Sequence, residues 1–193
     1  SLPEASLMRL AAPILEGRAD VAYGRMEPDL AAAAPLVRAF YRGWQLNPYF
    51  DDGKFGGVFA LSNQITRGLF PLPEVVADDE YIARSTAFRR RAHVPEAGFA
   101  VAVPTTLRAL FSIRRRSRRG TDALRLRGVC GAATKPNGGF GTAALRAARR
   151  PSRWFDVAVY GAVMSAVAIS LKLSPAAPNG VWERDETSRL PSA

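Results

Sequence analysis

The sequence predicts an α/β domain, because segments of helical and strand-like periodicity alternate along it. Three observations carry this expectation. The first 44 residues run helix, strand, helix; an apolar run at Val58–Ser62 follows a glycine-rich turn; and a second such run, Phe99–Pro104, leads into an arginine-rich helix. At 193 residues and 48% hydrophobic, the chain can bury a real core and does not have the composition of a disordered tail.

The first helix is expected over roughly residues 2–16. Ser1 and Glu4 have capping-box spacing, Pro3 suits a first turn, and Leu7, Leu10, Ile14 and Leu15 recur at helical intervals before Gly17. Asp20–Arg25 reads as a short strand, and the alanine-rich stretch through Pro35–Trp44 as a second helix. Residues 47–57 are dense in turn formers, which makes them a loop able to meet a ligand at the entrance to the strand Val58–Ser62. Further on, Asp78 is placed to cap a helix beginning at Asp79, and Thr105 or Thr106 to cap the helix Leu107–Arg119.

Gly128–Thr142 is rich in small residues and reads as a linker, so the division expected is a domain over 1–127 and an extension over 128–193. Within the extension, residues 157–171 carry no charge, and a helix is expected over about 153–173. The uncharged run falls short of the roughly 20 residues a spanning helix needs. A buried or interfacial helix is therefore expected, and its basic, Trp-bearing flank suits a membrane surface. The tail Pro175–Ala193 is polar.

Composition narrows the function classes. A single cysteine, Cys130, allows no internal disulfide, and a reducing, cytoplasmic setting is the expectation. The opening residues show neither a basic leader nor a long apolar core, and the chain is expected to start partway through something larger. The net charge of +10 is uneven: residues 1–80 hold 7 basic and 11 acidic side chains, residues 81–193 hold 20 and 6. Such a positive half suits phosphate-bearing partners, whether nucleic acid, anionic lipid or a nucleotide diphosphate. Only one histidine, His93, is present, which excludes multi-histidine metal sites. It reads as a structural strand residue, and Cys130 as inert.

Taken in order, Gly56-Gly57 before a buried strand, then Ala77-Asp78-Asp79-Glu80-Tyr81-Ile82, then an arginine-rich helix, resemble the acceptor side of family 2 glycosyltransferases. The resemblance covers roughly residues 1–127. In that family an acidic pair followed by an apolar residue opens a helix under the acceptor, and Asp78-Asp79 with Ile82 match it. The family's Gln-x-x-Arg-Trp helix has a loose counterpart in Ser112–Arg119, which lacks both the Gln and the Trp. Val181–Arg189 is similar to the closing segment of certain bacterial members, which implies that the natural C-terminus is present.

The resemblance implies an incomplete GT-A, Rossmann-like domain: a mixed sheet with flanking helices, followed by a C-terminal helical extension. The family's nucleotide-binding half ends in an Asp-x-Asp that holds a divalent metal, magnesium or manganese, and no Asp-x-Asp occurs here. The metal is therefore expected in the parent enzyme and not on this chain alone, which is expected to be inactive by itself. Implied partners are a nucleotide sugar and a saccharide or lipid-linked acceptor, in bacterial envelope polysaccharide synthesis at the inner face of the plasma membrane.

Inverting glycosyl transfer needs a carboxylate to take the acceptor hydroxyl's proton, and Asp79, beside Asp78, is the candidate base. The same pair also reads as ordinary acids in a helix's first turn. Gly56 and Gly57 are candidates for close backbone approach to a sugar, or an ordinary strand-entry turn. Arg115, Arg116, Arg118 and Arg119 are candidates for forked hydrogen bonds to phosphate, with one or two expected to reach a ligand and the rest to line a wet helix face. The rival class is a noncatalytic basic module that binds anionic membrane or nucleic acid through residues 84–127 and 146–153. Aromatic residues are sparse in those clusters, so nucleic acid is not expected.

Overall fold

The computed structural model describes residues 4–51, 53, 55–129, 140–148 and 150–173. Four sequence expectations fall wholly or partly outside them: the Ser1 cap, most of the Gly128–Thr142 linker with Cys130, the polar tail, and the Val181–Arg189 segment. The described residues form two compact units, each discontinuous in sequence.

The first unit comprises described residues within 1–27, 51–101 and 123–136. It is α/β, as the alternation of periods requires. Its helix α1 (Glu4–Leu15) covers a three-stranded mixed sheet in the order β2-β1-β3, built from β1 (Val21–Asp29), β2 (Phe59–Leu61) and β3 (Arg91–Ala102). β1 and β2 pair antiparallel, Val21 opposite Leu61 and Tyr23 opposite Phe59. Asp20 and Val21 at the start of β1 both donate to the Arg90 carbonyl just before β3. Leu10 from the helix meets Ala22 and Ala97 from the strands, and Ile14, Val58, Ala60, Ala92 and Val94 close around them. The alanines on β1 and β3 leave room for the leucine, whose full burial contributes about 2 kcal/mol.

The strand β3 is longer than the expected Phe99–Pro104. It begins eight residues earlier, at Arg91, through a segment whose Arg, His, Pro and Glu hide the alternation. Pro95 is compatible with β3 because the strand lies at the sheet's edge, which offers positions whose N–H has no ladder partner to lose. Between β2 and β3 lie α3 (Asn63–Leu69), capped by the Ser62 hydroxyl, and α4 (Asp78–Ser85).

The second unit comprises described residues within 28–50, 102–122 and 137–193. Here α2 (Pro35–Trp44) packs along α7 (Trp154–Leu173), as does α6 (Phe140–Ala148). Pro35 opens α2 at a position where a missing N–H is harmless. The long helix α5 (Leu107–Leu126) starts in this unit, with the Thr106 hydroxyl accepting from Ala109 N–H. Phe40 meets Tyr160 with ring centroids 5.4 Å apart, and Trp44 stands edge-on to Phe50 at 4.8 Å. Asp156 is 4% exposed, and its carboxylate accepts from Arg42 at 3.1 Å and from Arg153 at 3.2 Å. Two guanidinium partners compensate the burial of that charge.

Candidate functional site

The acidic pair opens α4, with one correction. The helix begins at Asp78 and its N-cap is Ala77, which supplies no side-chain cap. Asp78 therefore does not cap from outside. Its Oδ1 accepts from Asp79 N–H at 2.9 Å, and Asp79 Oδ1 accepts from Glu80 N–H at 2.8 Å, so each carboxylate serves the amide of its own successor. The first-turn N–H groups have no intrahelical acceptors, and neighbouring carboxylates are their natural partners. Asp78 is exposed and Asp79 half-buried. Glu80 is bound differently, accepting from Arg84 Nε at 2.8 Å, and Arg84 also donates to the Val129 carbonyl.

At its other end α4 is tied to the sheet by Arg91, which donates to the carbonyls of Ala83 and Thr86 and to the Thr86 hydroxyl. A cation there satisfies carbonyls that the helix leaves open. Burial holds the Arg91 guanidinium below its usual range. Next to it, Arg90 binds Asp20 at 3.0 Å and the Gly17 carbonyl at 2.8 Å, and its hydrogen bond holds the Asp20 carboxyl below the ordinary value. Two adjacent arginines thus fasten β3 to α4 on one side and to the α1–β1 turn on the other.

Gly56 and Gly57 lie in the same unit and have φ of 139° and 76°, a region closed to most side chains. Gly56 is buried and Gly57 exposed. A Cβ on Gly57 would stand 2.7 Å from Phe99 Cε2, so the chain there is pressed against β3. Around this turn Tyr23 stacks on His93 at 5.4 Å and meets Phe55 edge-on at 5.5 Å, while Phe55 stacks on Phe59 at 5.1 Å. The Arg91 guanidinium lies 5.6 Å from the Phe55 ring centre. This aromatic group escaped the sequence reading: Tyr23 and His93 stand on strands 70 positions apart, and only the sheet's pairing joins them.

The four arginine candidates belong to the second unit, on α5. Arg118 is exposed and pairs with Asp122 at 3.3 Å, one turn on. Arg115, Arg116 and Arg119 are half-buried. A further arginine of the helix, which the sequence did not single out, meets aromatic rings. Arg114 lies over three rings of α2, its guanidinium carbon 5.1 Å from the Phe40 centroid, 5.4 Å from Tyr41 and 4.2 Å from Trp44. Three rings within about 6 Å make a strong cation–π arrangement. The aromatic spacing in Phe40-Tyr41-x-x-Trp44 was the available signal, and it did not say which cation would meet it.

Among the described residues no three of His, Cys, Asp and Glu converge to hold a metal ion. No family model, curated protein or solved structure matches the chain.

Proposed function

We propose that this chain supplies the acceptor side of an inverting glycosyltransferase of the family 2 kind, using a nucleotide sugar as donor. Asp79 acts as the base. The acceptor hydroxyl oxygen attacks the anomeric carbon, its proton passes to the Asp79 carboxylate, and the bond from that carbon to the diphosphate breaks with inversion. The nucleoside diphosphate leaves with the bonding pair. Gly56 and Gly57 let backbone approach the acceptor sugar, and Asp78 holds the Asp79 amide. Arg115, Arg116, Arg118 and Arg119 are assigned to phosphate recognition.

The observation that carries this reading is the half-buried Asp79 at the start of a helix of the α/β unit. One of its oxygens holds Glu80 N–H, and that unit also contains the positive-φ pair Gly56-Gly57. Saturation-transfer NMR with a panel of neutral oligosaccharides tests it. Signal is expected from wild-type protein, weakened severalfold in Asp79→Asn and in Gly57→Val. If no oligosaccharide binds, and DNA instead binds with a steep salt dependence indifferent to Asp79→Ala, the noncatalytic basic module takes its place.

A further inference from the structure

The helix α7 is apolar almost all round, yet it is buried along one side only. Val157, Tyr160, Val163 and Val167 turn inward. Phe155, Ala158, Ala162, Ala166, Ile169 and Leu173 are exposed. At about 100° per residue these six positions fall on one face, opposite the buried four. The exposures are large: Phe155 is 62%, Ile169 57% and Leu173 79% accessible. The neighbouring α6 adds Leu145, 72% exposed, and Trp154 stands out at 60%. The Trp154 N–H is already spent on the Ala147 carbonyl at 2.9 Å, so the ring offers a surface with no polar demand left. Six exposed apolar positions along one helix face mark a docking surface.

Charge identifies what covers it. Arg150 and Lys172 are exposed at the two ends of the apolar face, and Arg153 borders it at 40% side-chain exposure. The one acidic residue described from 140 to 173, Asp156, is buried between Arg42 and Arg153. Among the described residues of 140–173, every exposed charge is therefore positive. An apolar stripe with basic ends and a tryptophan at its border fits the boundary between anionic headgroups and acyl chains.

The helix is long and apolar enough, over Pro151–Leu173, to cross a bilayer by length and composition alone. Its packing argues otherwise. It packs along α2, which carries Arg38 and Arg42, and a spanning α7 would either carry these arginines into hydrocarbon or strip α2 away.

We propose that the outward face of α6 and α7 docks on an anionic bilayer, with α7 lying in the headgroup region parallel to the surface. This does not depend on the glycosyltransferase reading.

Flotation of the full chain with phosphatidylcholine vesicles, with and without phosphatidylglycerol, tests it. Binding is expected to the anionic vesicles, in part resistant to salt, and to fall about tenfold or more in Phe155→Ser/Ile169→Ser/Leu173→Ser. These positions are exposed, so circular dichroism and the urea midpoint should match wild type; if the triple variant fails to fold, Phe155→Ser alone should show a smaller loss. Binding abolished by salt and untouched by the serine variants would overturn the proposal, reducing the contact to charge. So would resistance of the vesicle-bound protein to alkaline carbonate, which marks a spanning helix. Failure to bind either vesicle, with the serine variants instead dissociating an oligomer, would assign the face to a second copy.

Discussion

At the scale of single residues, two glycines on helices make opposite predictions. Gly43, on α2, faces α7 so closely that an added Cβ would sit 2.8 Å from the Asp156 carbonyl carbon and 3.0 Å from Tyr160 Cβ. At Gly68, on α3, a Cβ would meet open space. Helix propensity favours alanine over glycine by about 1 kcal/mol at both positions. At Gly68 nothing opposes it, and Gly68→Ala is expected to raise stability by roughly 0.5–1 kcal/mol. At Gly43 backbone stands in the way, and Gly43→Ala is expected to lower it by about 1–3 kcal/mol. Urea midpoints of the two variants decide this.

Asp20 predicts a pH dependence. Its carboxyl is held below the ordinary value of 3.8, chiefly by the Arg90 side chain. A depressed folded value means that the contribution is complete above the unfolded value and fades as pH falls below 3.8 toward the folded one. Wild type is therefore expected to exceed Asp20→Asn in stability at neutral pH, with the gap closing in acid. Urea midpoints of both proteins across that range should converge, and a gap constant with pH would refute the pairing.

At the scale of elements, Arg114 joins α5 to α2 by lying over the Phe40, Tyr41 and Trp44 rings. A lysine keeps the charge but not the flat, weakly hydrated guanidinium that covers the Trp44 ring. Arg114→Lys is expected to cost about 1 kcal/mol, read from the urea midpoint, with a change in Trp44 emission. Arg118→Lys, at an exposed one-turn pair with Asp122, should cost almost nothing by the same measurement.

The elements also show where sequence reading succeeds. α1, α2, α7 and the part of α5 up to Arg119 were legible because each repeats apolar residues along a helix or runs long without a breaker, and β1 up to Arg25 because it follows the turn at Gly17; β1 runs on to Asp29 and α5 to Leu126. α3 was missed: it has seven residues and one buried side chain, Ile65, too few to make a stripe. The first part of β3 was missed because an edge strand tolerates Pro95 and half-exposed polar residues that mask alternation. At the candidate site, Asp78-Asp79 was legible as the opening of a helix, but not which residue started it. A one-residue shift turned Asp78 from a cap into a first-turn acid.

For the whole molecule, composition set a charge of +10 and a chain able to bury a core, while the order of residues set the weighting of that charge to the second half and the α/β alternation of elements. These follow from local properties that survive any arrangement of the chain. Tertiary structure alone decided the pairs on which the rest depends: Arg42 with Asp156, 114 positions apart, Arg90 with Asp20, 70 apart, and Arg114 with the rings of α2. It also decided which side of α7 stays outside. A helix apolar around its whole circumference carries no periodic mark of its buried face, so only the helices packed against it could choose one.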